Sequence, residues 1–159
     1  METFLLTWNP AQKRPRNQLE AITKYENGKY YSEEWSAGSR KSLPVDSRFF
    51  MLRQGIEPRG IIASGYTKTR PKREEDSSSH SLYCKVEYTA ILDASKGHLI
   101  PLEELNQNPP LDTVNWSTRS GGILLEKEQA KVLEKLWAET LKRLGKKELP
   151  PKKRKARKA

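Results

Sequence analysis

The hydrophobic pattern changes character three times along the chain. Arg48–Arg53 (RFFMLR) is apolar at every interior position, which predicts a strand covered on both faces in a sheet interior. Residues 54–59 (QGIEPR) form a turn punctuated by Gly55 and Pro58. Residues 60–65 (GIIASG) read as the antiparallel return strand, with small residues where another backbone can pack closely. Residues 82–92 alternate instead: Leu82, Cys84, Val86, Tyr88, Ala90 and Leu92 share one face, and Tyr83, Lys85, Glu87 and Thr89 the other. That period of two predicts a long, half-buried strand. Residues 126–144 switch to helical spacing, with Ala130, Leu133, Leu136, Trp137, Leu141 and Leu144 in one stripe that Gly145 closes. Trp137 lies in that stripe and is expected in the core.

The remaining elements are shorter. Thr3–Trp8 (TFLLTW) predicts a first strand, stopped at Asn9-Pro10 because the residue before proline avoids the helical region. Asn17 and Glu20 resemble a capping pair, Leu19, Ile22 and Tyr25 follow at roughly helical spacing, and Gly28 can end that helix. Residues 30–36 contain three aromatics and predict a second strand. Residues 68–81 hold no apolar side chain but Pro71 and read as a surface excursion. Residues 93–97 read as a turn, residues 100–102 lead into a short helix or coil broken at 106–110, and residues 115–122 (NWSTRSGG) form a polar, glycine-ended loop around Trp116. The sum is a β-rich α+β domain with one helix inserted early and a long amphipathic helix at the end.

Composition bounds this picture. The chain has 159 residues, enough for one core, and with 35% apolar and 31% charged residues that core is modest. No run approaches the ~18 apolar residues of a membrane span, and the first ten residues lack a signal-peptide layout. The single cysteine, Cys84, has no disulfide partner or zinc-ligand companions and fits a small core side chain. A reducing, cytoplasmic setting is expected. The net charge of +10 is concentrated: residues 146–159 carry eight Lys/Arg and one Glu, or +7, leaving +3 on the other 145. The expected organisation is a folded domain over 1–145 and a disordered basic tail over 146–159. The folded part then needs a local basic patch to bind nucleic acid.

Candidate chemistry favours binding over catalysis. His80 and His98 lie in loops with no carboxylate at suggestive spacing, and no nucleophile-elbow, P-loop, HExxH or paired-cysteine motif occurs. Glu74-Glu75-Asp76 follows Lys72-Arg73 and reads as a solvated charge run. No catalytic residue, metal site or cofactor is expected. Trp8, Trp35 and Trp116, by contrast, sit at strand ends or in polar loops. Stacking a splayed base on an aromatic face contributes about 1–3 kcal/mol; a core tryptophan with one edge exposed gives the same pattern. Beside Trp35, the small hydroxyl of Ser36 and the basic Arg40 and Lys41 suit a flat ring joined to a phosphate, although an ordinary loop would look alike. Arg119-Ser120-Gly121 offers a guanidinium and backbone N–H groups, either a phosphate seat or a glycine-rich turn before the last helix.

The order TFLLTWNP, EEWSAGSRKSLP, RFFMLRQGIEPRGIIASG, NWSTRSGGI and a final LEKLW helix resembles the EVE-like domain that opens many prokaryotic HNH-type endonucleases directed against modified DNA. That family belongs, with EVE and YTH domains, to the PUA superfamily, and the resemblance runs from about residue 3 to 144. It implies a PUA-like, EVE/YTH-type small β-barrel with flanking helices, acting in restriction or defence. Such a domain would hold a flipped modified base in a pocket between aromatic walls. By resemblance Trp35 supplies one wall, Ser36 a polar contact to the base edge, and Trp8-Asn9 border the pocket. Relatives usually supply another tryptophan after the central hairpin, where this chain has PKREEDSSSHSLY, so the second wall falls to Tyr66, Trp116, Tyr83 or His80. Arg119, Ser120 and Gly121 match a stretch used near the phosphate, and Arg53 and Arg59 flank the hairpin where they could contact backbone. The implied partner is double-stranded DNA with a modified cytosine, such as 5-methyl- or 5-hydroxymethylcytosine. No HNH segment follows, so binding without cutting is expected. The alternatives are a YTH-like RNA reader, or a non-catalytic adaptor whose tryptophans are core and whose basic tail binds acidic partners.

Overall fold

The computed structural model describes residues 2–10, 18–38, 43–73, 82–117 and 122–152. In chain order the elements are β1 (Thr3–Trp8), α1 (Gln18–Glu26), β2 (Tyr31–Ser36), β3 (Arg48–Arg53), β4 (Gly60–Thr67), β5 (Lys72–Arg73), β6 (Leu82–Ile91), β7 (Ile100–Pro101), α2 (Leu102–Asn106), β8 (Ile123–Leu124) and α3 (Lys127–Arg143). All the strands join one mixed eight-stranded sheet in the order β2-β6-β4-β3-β1-β8, with β5 added to β6 and β7 to β4. β1 runs parallel to β3, from Thr3 opposite Arg48 to Trp8 opposite Arg53, while β3 returns antiparallel as β4. The strands and helices expected from the pattern are all present, with β4 running on to Thr67.

Side-chain alternation gives the sheet two apolar faces. Phe49 on β3 meets Tyr88 of β6 edge-on at 5.8 Å, and its neighbour Phe50 points the other way to meet Trp137 of α3 edge-on at 6.0 Å. Trp137 is 1% exposed, as its place in the helical stripe requires, and its indole N–H donates to Ser64 Oγ at 2.9 Å. Gly65 is small for a packing reason: a Cβ there would lie 2.0 Å from the carbonyl oxygen of Glu87 on the neighbouring strand. α3 starts with Gln129 Oε1 accepting from the backbone N–H of Glu126 at 2.9 Å, which satisfies one donor of the first turn. Cys84 is buried, and burial pushes its thiol up to about 11, a core side chain rather than a reactive one.

The structure departs from the sequence reading on the second face of β6. Glu87 and Thr89 were expected to face water and are buried. The cover comes from residues 146–152, which the charge pattern assigns to a disordered tail and which instead dock on the domain. Leu149 N–H donates to Thr89 O at 2.8 Å, Tyr25 Oη to Lys147 O at 2.6 Å, and Tyr30 Oη to Pro150 O. Lys152 Nζ lies 3.5 Å from Glu87 Oε2 and 4.7 Å from the Tyr30 ring.

Glu148 is the anchor of this segment. It accepts from Arg48 Nη1 at 2.6 Å and Nη2 at 2.8 Å, while Glu134 of α3 accepts from Nε at 3.0 Å and Nη2 at 2.9 Å. Ser64 Oγ and Thr89 Oγ1 donate to the same Glu148 carboxylate. The Arg48 guanidinium, 2% exposed, is sandwiched 4.8 Å from the Phe50 ring and 5.0 Å from the Tyr66 ring. Burial disfavours its charge, but hydrogen bonds to Glu148 and Glu134 outweigh that and raise its pKa. Glu148 is likewise penalised by burial, yet the Arg48 bonds hold its carboxyl below the usual range.

Candidate nucleic-acid interface

β1 ends where β3 turns into β4, and this junction gathers several of the residues that the sequence singles out. The backbone N–H of Gln54 donates to Trp8 O at 2.8 Å, tying the turn to the end of β1. The Arg53 guanidinium lies 5.7 Å from the centre of the Trp8 ring, a cation–π contact, and its Nη1 donates to Pro58 O at 3.2 Å. Among the described residues, the buried Nε–H of Arg53 finds no acceptor. An unsatisfied buried donor costs about 1–3 kcal/mol, and here it is a donor suited to an anionic or carbonyl oxygen. Arg59 sits across the same turn, with its Nε 2.8 Å from Glu57 Oε1; that hydrogen bond is the main reason the Glu57 carboxyl falls below its usual range.

Asn9 is held by the turn as well. Gly55 has φ +83°, and a Cβ there would come within 2.2 Å of Asn9 Oδ1, so only glycine lets the Asn9 amide lie against this backbone. Gly55→Ala is therefore expected to cost about 1–3 kcal/mol from backbone strain and to push the Asn9 side chain aside. A urea titration would read the first effect, and the Asn9 side-chain amide resonances the second.

Next to this junction lies a small cavity of about 10 Å³, lined by Trp8, Gln18, Glu33, Met51, Ile62, Tyr88 and Ile91. Half-buried Trp8, Gln18 and Glu33 stand among its lining, while Met51, Ile62, Tyr88 and Ile91 are buried. Tyr88 is fixed on several sides: its ring stacks on Tyr31 at 6.3 Å, Phe49 meets it edge-on, and its hydroxyl lies 3.8 Å from Met51 Sδ. The wall is thus aromatic and aliphatic, with one amide and one carboxylate.

The other expected site residues fall elsewhere. Trp35 shares the Glu33 face of β2 but is 4% exposed and paired with Cys84 on β6, so its ring packs in the core. Ser36, half-buried at the strand end, accepts from Gly38 N–H at 3.2 Å. Tyr66 stands over Arg48; because Arg48 and Phe49 point to opposite faces, Tyr66 is on the other side of the sheet from Tyr88 and cannot wall this cavity. Trp116 is 5% exposed, with its indole N–H donating to Leu111 O at 2.9 Å. It pins the turn before the last helix rather than presenting a face, and it does not line the cavity. Tyr83 pairs with Ser36 and Lys72 at the far end of β6. Arg40, Lys41, His80, Arg119, Ser120, Gly121 and the run Glu74-Glu75-Asp76 lie outside the described residues.

Sequence reasoning missed Gln18, Glu33 and the inward role of Tyr88 as a cavity wall. For Glu33 a signal existed: counting back by two from Trp35 puts Glu33 and Tyr31 on one face, even though Glu33-Glu34 reads as a solvated pair.

No family model matches the chain, and no curated protein matches it in sequence. Solved structures do match in fold. A hypothetical protein from Leishmania major aligns with TM-score 0.60 and 12% identity over 86% of this chain and 94% of its own. Protein Atu2648 from Agrobacterium tumefaciens aligns with TM-score 0.60 and 13% identity over 98% of this chain and all of its own (100%). Human THYN1, solved in complex with 5-methylcytosine-containing DNA, aligns with TM-score 0.58 and 14% identity over 86% of this chain and 97% of its own. The architecture shared across these chains is the α+β, PUA/EVE-like fold that the sequence motifs imply.

Proposed function

We propose that this chain is a non-enzymatic nucleic-acid reader that takes a modified base, a modified cytosine in double-stranded DNA, flipped out of the helix and held at the Trp8 cavity. The observation that carries the reading is the junction itself. A half-buried tryptophan edge, an aromatic floor at Tyr88, and a turn bearing Arg53 and Arg59 meet in one place. Fold likeness to THYN1, whose structure holds 5-methylcytosine DNA, supports the same partner class.

The physics of flipping fits this layout. Extruding a base costs a few kcal/mol of unstacking and unpairing. Stacking against Trp8 returns about 1–3 kcal/mol, and Arg53 and Arg59 can take the phosphates that bracket the extruded nucleotide. At about 10 Å³ the cavity holds roughly one water, whereas small-ligand pockets run to about 300 Å³ and more. A base therefore enters by displacing the half-buried side chains Trp8, Gln18 and Glu33, while the buried floor stays in place.

Trp8→Ala tests the assignment. It is expected to weaken binding to a duplex containing one 5-methylcytosine by about 1–3 kcal/mol, with a smaller effect on an unmodified duplex and an unchanged far-ultraviolet circular dichroism spectrum. Equal losses on both duplexes would mean that Trp8 contacts the backbone and no base.

A further inference from the structure

Resting on the reading of the Trp8 cavity as a base pocket, we propose that Glu33 determines which bases it accepts, by taking a hydrogen bond from the exocyclic amine of an amino-bearing pyrimidine. Glu33 is on β2, opposite Val86 of β6, and lies on the same strand face as Tyr31, whose ring stacks on the cavity-floor ring of Tyr88. It is the one carboxylate among the cavity-lining residues, and its other neighbours there are Trp8, Met51, Ile62, Tyr88, Ile91 and the Gln18 amide.

An ionised carboxylate accepts hydrogen bonds and donates none. Against cytosine, whose edge carries the N4 amine, it makes a charge-assisted bond; this is the pairing by which Glu and Asp read cytosine in a groove. Against thymine or uracil it meets the O4 carbonyl, so two acceptors face each other in a site lined mostly by carbon, and neither has a donor. Thymine is the informative competitor because it carries the same 5-methyl group as 5-methylcytosine and the same ring. A pocket that sensed only shape and the methyl group would take both. Glu33 makes the pocket reject one of them, which is a specificity built on repulsion as well as attraction.

The test uses the full chain and three duplexes that differ at one nucleotide, 5-methylcytosine, cytosine or thymine, each opposite an abasic site so that no target pays an unpairing penalty. Fluorescence anisotropy gives the three affinities for the wild type and for Glu33→Gln, whose amide can turn to face either edge. The expected result is a wild-type preference for 5-methylcytosine over thymine of about tenfold or more, collapsing toward one in Glu33→Gln through a gain for thymine. Glu33→Asp, which keeps the charge on a shorter arm, should keep the sign of the preference. The wild-type ratio decides the matter even if a variant fails to fold. A wild type that prefers 5-methylcytosine over cytosine yet binds thymine equally well, or a Glu33→Gln variant with an unchanged ratio, overturns the role of Glu33 and leaves the reader standing. A wild type that binds none of the three at low salt overturns both.

Discussion

Deleting residues 146–159 is expected to remove about 3–5 kcal/mol of stability, the usual consequence of leaving a buried charge short of its partner. Deleting only residues 153–159 is expected to change stability little. The two truncations differ by the segment that carries Glu148, whose carboxylate bonds both terminal nitrogens of the buried Arg48. Glu134 stays behind in the longer deletion, but it is on the opposite flank and cannot reach Ser64 and Thr89, which also lose their acceptor. Urea denaturation of the two truncated chains separates this account from a simple tail, for which both deletions would be neutral. The pH dependence has a definite sign. Because Arg48 depresses the folded-state pKa of Glu148 below its unfolded value, the stabilisation is complete above the ordinary carboxylate range and drains away as pH falls through the depressed value, below about pH 4. Glu148→Gln should be less stable than wild type at pH 7, and the gap should narrow at pH 3. A gap that stays constant across that range would remove the ionic interaction from the explanation.

Trp137→Ala is the second large effect, about 3–5 kcal/mol for a buried tryptophan truncated to alanine. The ring fills the space between α3 and Phe50, and its N–H satisfies Ser64. Ser64 also donates to Glu148, so the damage should spread to the docked segment and the two effects should not add. A double-mutant cycle of Trp137→Ala with Glu148→Gln measures that coupling; strict additivity would show that the two features are independent. Trp8→Ala, at the cavity, should by contrast leave the melting temperature close to wild type.

The strands were legible because their patterns are of two clean kinds. RFFMLR has no polar interior position, and residues 82–92 alternate without a break. The charged network was not legible, since its parts look wrong locally. Arg48 stands at the edge of an apolar strand, and Glu148 is a lone acid in a run of lysines a hundred residues later, so nothing short of the fold pairs them. The same blindness made 146–152 look like a solvated tail. At the site, Trp8, Asn9, Arg53 and Arg59 emerged from the sequence because turn residues and aromatics mark strand ends, and the fold brings them together. Trp116 and Trp35 sat among polar neighbours in sequence while their rings turned inward in space; a polar neighbourhood along the chain says little about where a large ring points. Glu33 was hidden by its twin, Glu34, which is exposed and made the pair read as surface.

The measurement that bears most directly on the central claim is a binding titration of the full chain with two duplexes identical but for one 5-methylcytosine, by fluorescence anisotropy at two salt concentrations. The account predicts that both affinities fall steeply with salt as phosphate contacts release counterions, while the preference for the modified duplex persists with an unchanged ratio, because the base pocket is uncharged toward the methyl group. Equal affinity for the two duplexes at both salt concentrations, or no binding to either at low salt, would contradict it.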